Sequence, residues 1–326
     1  MSDPVDARVE QAPPAPTAAL TQGDAIVVTY HSTAPIGACL ESLLAAGLHV
    51  VVVDNGGTAD LVRERFPSVD LIANDDNRGF AAAVNQGLAR CDGEHVLLVN
   101  PDSIVPPATA AALFAYLDAH PDVGVVGPRL RDADGTLNIS AQPEPMLSTL
   151  LLNRARRLLP TGFTRLLGRS VRWQSYDACL RADAATDVEC LIGACLALPT
   201  AFLRELGGLD EGYFMYCEDL ELCVQTRGRG RRVVYLPTVE AVHERGGSSG
   251  DRSHVWPLHA RSLLRFHAIH RPRTFQLVRA ALIGRSLLGL ALGLAQDARD
   301  PDRRRTRAWR GVARIALAAS RRELAA

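Results

Sequence analysis

Lysine is absent from the 326 residues, so all 36 basic side chains apart from histidine are arginines. A guanidinium stays charged near neutrality, which excludes arginine as a proton-transfer base. The seven cysteines (Cys39, Cys91, Cys179, Cys190, Cys195, Cys217 and Cys223) form no CxxC and no paired spacing. That pattern excludes a disulfide framework; most lie in apolar runs, as small hydrophobic residues of a reducing, cytoplasmic compartment do. No GxGxxG or Walker A sequence follows any strand-like run, so neither a dinucleotide fingerprint nor an ATP phosphate cradle is present. Residues 1–22, rich in Pro and Ala, lack a basic n-region and an apolar h-region, and are expected to form a disordered leader rather than a signal peptide. Long uncharged apolar runs are missing too. Between 275 and 298 the longest, 286–296, is shorter than the ~20 residues expected of a membrane-crossing helix.

What is present is a 47% hydrophobic chain, enough for one large core with appendages. The net charge of zero conceals a separation: residues 1–140 hold 18 acids against 7 arginines, and residues 252–326 hold 16 arginines against 4 acids. An acidic front argues against nucleic acid as a partner. The basic tail suits an anionic partner, or else is a solvated arginine-rich surface.

Strand and helix patterns alternate from 24 to 127. DAIVVTY (24–30), HVVVVDN (49–55), VDLIAN (69–74), EHVLLVNPD (94–102) and VGVVG (123–127) read as strands, with helices at 35–46, 79–91 and 106–120. Near-continuous apolar strands between helices predict an α/β fold: a mainly parallel, Rossmann-like sheet with helices on both faces. VECLIGACLALP (188–199) reads as a further strand, followed by helices at 200–207 and 218–225, a strand at 231–237, a Gly/Ser loop to 250 and helices from 253. The expected organisation is a leader over 1–22, a catalytic-type domain over 23–252 and a helical, arginine-rich extension over 253–326.

Ligands of such sheets sit beyond the carboxyl ends of the strands. That gathers Thr29, Tyr30 and His31 with Asp54 and Asn55, and with Asn100 and Asp102. A carboxylate placed like Asp102 can ligate a divalent cation, although Asn-Pro-Asp-Ser is also good turn chemistry. In FMYCEDLELCVQT (214–226), Glu218, Asp219 and Glu221 crowd into an apolar setting. Cys217, Leu220 and Val224 share a helical face toward the sheet, with Glu218, Glu221 and Gln225 on another. Neighbouring carboxylates raise one another's pKa, which suits one of them to general-base work; plain charge dressing of a helix start is the alternative. His243 closes VEAVH, and is a metal ligand or a structural histidine.

VVTYHS, VVVDN, NRGFAAAVNQG, LLVNPDS, GACLALP, GGLDEGYFMYCEDLELC and YLPTVEAVH, in that order over 24–250, resemble the family-2 glycosyltransferases of GT-A fold, in particular the rhamnosyltransferase-like branch. The resemblance implies inverting transfer from a nucleotide-diphospho-sugar to a lipid-linked or cell-wall glycan, with rhamnose from dTDP-rhamnose expected first. Another hexose from a UDP or GDP donor, or a silent sugar-nucleotide-binding membrane scaffold, are the alternatives. It further implies base and ribose contacts at Thr29, Tyr30 and Asp54, a donor-side turn at Asn77, Gly79 and Phe80 with Asn85 behind it, and Asn100 and Asp102 in a DxD-like motif. Mg²⁺ or Mn²⁺ would be held by Asp102 and His243, and Asp219 would be the base, with Glu218 beside it. The chain departs from the family pattern at Asn100, Glu221 and Gln225, with Arg227 the candidate substitute for the arginine missing at Gln225. A pyrophosphorylase, which shares a related sheet, would need a lysine-bearing loop that this chain lacks.

The tail completes the expectations. Trp309, Val312, Ala316 and Ala319 recur at helical spacing among arginines, a pattern suited to an anionic membrane surface, hence a peripheral protein on the cytoplasmic face of the plasma membrane. Helices packed on the catalytic domain or forming a homo-dimer interface are the other reading.

Overall fold

The computed structural model describes residues 23–145, 183–244, 252–297 and 302–325. The expected leader, residues 146–182 and most of the Gly/Ser loop lie outside them. The β-branched runs become β1 (Asp24–Thr29) and β2 (His49–Asp54), followed by β3 (Asp70–Ala73), β4 (His95–Val99), β5 (Ser103–Ile104) and β6 (Val123–Arg131). Then come β7 (Ala141–Gln142), β8 (Thr186–Asp187), β9 (Cys190–Leu191), β10 (Cys195–Pro199) and β11 (Arg232–His243). The helices of this region are α1 (Ile36–Ala45), α2 (Ala59–Arg65), α3 (Phe80–Leu88), α4 (Pro107–Ala119), α5 (Thr200–Glu205) and α6 (Glu218–Gly228).

Nine strands form one sheet in the order β3-β2-β1-β4-β10-β6-β11-β5, with β8 on β11. β1 to β4, β6 and β11 run parallel, whereas β10 is antiparallel to both β4 and β6. The expected single strand over 188–199 is therefore two strands, β9 and β10, and β9 pairs with β7 in a separate ribbon. Both faces of the sheet are covered. Leu40 of α1, Val62 of α2 and Leu113 of α4 share a core with Val27, Val52 and Leu97. On the opposite face Gly87 of α3 lies so near Ile26 that an added Cβ would come within 2.7 Å of it. At Gly124 a Cβ would meet Thr226 of α6 at 2.5 Å and Phe202 of α5 at 2.7 Å. Chain direction around β1 diverges to β2 on one side and β4 on the other, so the crevice above their carboxyl ends is the expected ligand position.

The chain divides into two compact units. One is the sheet with its helices, through Asp210 and again from Asp219. The other comprises Pro145, Glu211–Glu218 and the helices after Ser248, so the expected linear boundary at 252 is corrected by a segment from mid-chain. That segment belongs to the helices through particular contacts. Ser262 Oγ donates to Met215 O at 2.7 Å, Arg265 lies 5.4 Å from the Tyr213 ring centre, and Tyr216 sits 5.7 Å from His259.

This second unit contains α7 (Trp256–His270), α8 (Phe275–Gln296), α9 (Arg304–Ala318) and α10 (Arg321–Ala325). Its core holds Leu264, Phe275, Val278, Val312 and Ala316. The stripe on α9 expected to face a membrane is thus turned inward: Val312 and Ala316 are buried, and Trp309 packs on Trp256 with ring centres 4.6 Å apart. Helix packing removes that stripe from water. α8 runs as one helix through Arg279 and Arg285, which bound its short uncharged stretches. Phe275–Leu294, with mean hydropathy 1.6, is long and apolar enough to cross a bilayer by length and composition.

Candidate active site

Above β1 and β2, Asp54 has a structural place. Its Oδ1 accepts from Thr29 Oγ1 at 2.8 Å and from Gly56 N at 3.1 Å; its Oδ2 accepts from Thr58 N at 3.0 Å and Ala59 N at 2.8 Å. Four donors occupy the buried carboxylate, so Thr29 and Asp54 build the loop that starts α2. Tyr30 is the opposite case. Its ring is 52% exposed beside the bare Gly56 backbone, and lies 4.4 Å from the His31 ring. His31, in the left-handed region at φ 52°, is fixed there by donating its N–H to Gly56 O at 2.8 Å.

The turn before α3 is held by asparagines. Asn77 Oδ1 accepts from Gly79 N at 3.0 Å, and Asn55 Nδ2 donates to Gly79 O at 3.1 Å. Gly79 takes φ 87°, which a side chain would resist, and half-buried Phe80 begins the helix. Asn85 differs from its expected role. Its Nδ2 donates to Leu209 O at 2.9 Å while its Oδ1 accepts from Leu209 N at 2.8 Å. Both ends of the amide brace the loop at 209, which makes Asn85 a positioning residue.

Asp102 and His243 are brought together by the backbone. β5 pairs with the end of β11 so that His243 stands opposite Ser103, and Glu244 N donates to Asp102 O at 3.0 Å. His243 Nε2 lies 3.4 Å from Asp102 Oδ1. Its Nδ1 is buried with no hydrogen-bond partner among the described residues. Two ligand atoms at ~2.1 Å and right angles around Mg²⁺ would lie ~3 Å apart, so the pair matches a shared divalent cation with little movement.

Asp219 is tied to the β9–β10 loop, and the same loop holds the turn that carries Asp102. Gly193 N donates to Asp219 Oδ2 at 3.0 Å, and Leu220 N donates to Asp219 Oδ1 at 2.8 Å. The next carbonyl, Ala194 O, accepts from Asn100 N at 3.0 Å and from Ser103 Oγ at 3.1 Å. Asp219 and the Asn100–Ser103 turn that carries Asp102 are therefore anchored at two adjacent residues of one loop. Protein packed around the Asp219 carboxyl raises its pKa above the ordinary aspartate value, against the pull of the Gly193 and Leu220 N–H groups, although the residue as a whole is only half-buried. Tyr216 and Cys217 precede it at φ 70° and 68°, two left-handed non-glycine residues costing ~1–2 kcal/mol each.

Around Asp219 the acidic cluster separates. Glu218 opens α6 and falls in the second unit, whereas Glu221 is buried at 3% exposure and accepts from Gln225 Nε2 at 3.0 Å. The buried face of α6 runs through Leu220, Cys223 and Thr226 rather than through Val224. Gln225 thus serves Glu221, and Arg227, the candidate substitute, instead forms an ion pair with Glu144. Gly193 is a position at the candidate site that sequence reasoning did not single out. An isolated glycine inside an apolar strand pattern was the available signal, since it marks a bulge or a close approach.

A carboxylate of raised pKa held by the loop that also holds the turn carrying a carboxylate–imidazole pair has the chemistry to deprotonate one group while a cation neutralises another. Comparison with known proteins gives this arrangement a family. Residues 24–267 match the model for "Glycosyltransferase like family 2". N-acetylglucosaminyl-diphospho-decaprenol L-rhamnosyltransferase of Mycobacterium tuberculosis is 28% identical over 246 residues, 69% of this chain and 76% of its own length. The rhamnosyltransferase WbbL of Escherichia coli is 24% identical over 229 residues, covering 67% and 81%. Among solved structures, a mannosyltransferase from Pyrobaculum calidifontis in complex with GDP-Man and Mn²⁺ superimposes with TM-score 0.53 at 21% identity, over 90% of this chain and 86% of that one. That likeness carries the GT-A fold. With the family model spanning the whole sheet and its site, the chain belongs to the glycosyltransferase-like family 2.

Proposed function

We propose that this glycosyltransferase moves rhamnose from a dTDP-linked donor, with inversion, to a hydroxyl of a lipid-linked or cell-wall glycan. The observation that carries the reading is the single loop, Gly193–Ala194, that anchors Asp219 on one side and the Asn100–Asp102 turn with its His243 partner on the other. The two named rhamnosyltransferase relatives support the choice of sugar and the lipid-linked glycan.

In this reading Tyr30, exposed above Gly56, stacks on the nucleotide base, and the turn at Asn77, Gly79 and Phe80 borders the donor. Because Asp54 is filled by four internal donors, the base is held by stacking more than by that carboxylate. Asp102 and His243 would hold Mg²⁺ or Mn²⁺, which when bound neutralises the diphosphate leaving group. Asp219 takes the proton of the acceptor hydroxyl as its oxygen attacks C1 and the bond from C1 to the diphosphate oxygen breaks. The sugar ends on the acceptor with inverted configuration, and nucleoside diphosphate leaves. Hydrogen bonds from Gly193 and Leu220 keep the carboxylate oriented for that transfer. The acceptor's lipid portion is consistent with a protein at the cytoplasmic membrane surface, and the exposed apolar side of α8 suits that location better than α9.

A thermal-shift panel of UDP-, GDP- and dTDP-sugars with and without Mn²⁺ tests the assignment. Stabilisation by dTDP-rhamnose that requires Mn²⁺ is expected; at 100-fold excess over Kd it amounts to ~2.7 kcal/mol. Stabilisation by no sugar nucleotide would overturn it.

A further inference from the structure

The second unit carries a groove that the transfer chemistry does not use. It has a volume of ~340 Å³, within the ~300–1,000 Å³ of small-molecule sites, and is lined by Trp256, Leu263, Val278, Leu282, Leu288 and Trp309. Its charged lining residue is Arg285, whose guanidinium lies 5.1 Å from the Trp309 ring centre. α8 exposes Leu277, Leu287, Leu288 and Leu292, each more than half accessible. Leu288 belongs to both the groove and this stripe, so apolar surface runs unbroken from one into the other. The surrounding region is strongly cationic, with 16 arginines against 4 acids from residue 252 onward.

We propose that this groove takes one aliphatic chain of an anionic bilayer lipid, with Arg285 meeting the negatively charged headgroup. An apolar trough lined by two indoles matches a hydrocarbon chain, which has no polar groups to satisfy. A guanidinium at its border matches phosphate oxygens, and the arginine excess favours an anionic over a zwitterionic surface. The exposed leucines then rest in the acyl region beside the chain. The inference stands on the second unit alone and does not depend on the sugar chemistry.

The test uses the full chain carrying Trp173→Phe, leaving Trp256 and Trp309 as fluorescent reporters, with vesicles of chain-brominated phosphatidylglycerol or phosphatidylcholine. Marked quenching by phosphatidylglycerol and weaker quenching by phosphatidylcholine are expected. Gly284→Phe adds bulk at the groove where no atom lies within 4 Å of a new Cβ, and Leu288→Arg puts charge at its border with the stripe. Each should weaken quenching about tenfold, as the loss of a few buried methylenes requires, with unchanged helical circular dichroism. Arg285→Gln should keep the quenching and lose the preference for phosphatidylglycerol. Dodecyl phosphate distinguishes the sources: reversal of quenching shows that the groove also accepts a free amphiphile, and no reversal shows that it takes its chain from the bilayer alone. Absent quenching, undiminished quenching in both folded groove variants, or a lipid-insensitive dimer that covers Leu288 would overturn the proposal.

Discussion

Replacing Gly193 with Ala tests the role of the β9–β10 loop while leaving Asp219, the proposed base, in the sequence. Gly193 is not among the glycines with positive φ, so alanine suits its backbone. The new Cβ, however, would lie 3.2 Å from Asp219 Cβ and 3.5 Å from its Oδ2, so one of them must give by a few tenths of an ångström. A misplacement of ~1 Å costs ~10²-fold in rate, so a shift of this size should lower kcat by about three- to tenfold. The same shift weakens a charge-assisted hydrogen bond of ~1.5–3 kcal/mol that favours the ionised carboxylate. Burial then goes less opposed and the Asp219 pKa rises further. Asp219 must be ionised to accept a proton, so the acid limb of the rate profile moves to higher pH. The stability sign is the reverse of that of an ion-paired aspartate: with the folded pKa above the unfolded value, stability falls as pH rises through that interval. Steady-state nucleoside diphosphate release across the acid range measures both effects. The expected result is lower kcat, a displaced acid limb and an unchanged donor KM. Wild-type kcat with an unmoved acid limb, or a change in donor KM alone, would refute the reasoning.

Three further outcomes are expected. In the wild-type enzyme the acid limb of kcat should inflect above the ordinary aspartate pKa, because burial raises that of Asp219; a limb at or below that value would contradict the assignment. Asp102→Ala should abolish the Mn²⁺ dependence of donor binding, since His243 alone makes a poor site for a hard cation; calorimetry with and without chelator reads this directly. Asn85→Ala should lower stability by ~2–3 kcal/mol, because it leaves both polar groups of Leu209 unpaired, with donor affinity retained in the folded fraction; urea unfolding measures it.

The parallel half of the sheet was legible because HVVVVD and EHVLLV are apolar on both faces, which only a doubly covered strand tolerates. The reversed direction of β10 was not, since CLALP reads the same in either direction and its pairing is set by β4 and β6. α2 escaped notice because ADLVRER buries only Val62, too little for a helical period to show. At the site, Asp102, His243 and Asp219 stand at element ends that a parallel sheet gathers. What the sequence could not reveal is competition for hydrogen bonds: Asp54 serves four internal donors and Asn85 serves Leu209. Nor could spacing alone choose between two apolar faces in the tail. The α9 stripe found partners on α7 and α8, and the leucines of α8 were left outside.

The most direct test is single-turnover sugar transfer by Asp219→Asn at donor saturation. A proton acceptor in the transition state predicts a rate reduced by ~10²–10⁴-fold with Mn²⁺-dependent donor binding intact. A variant that binds donor normally and still transfers at more than about half the wild-type rate would contradict general-base catalysis by Asp219.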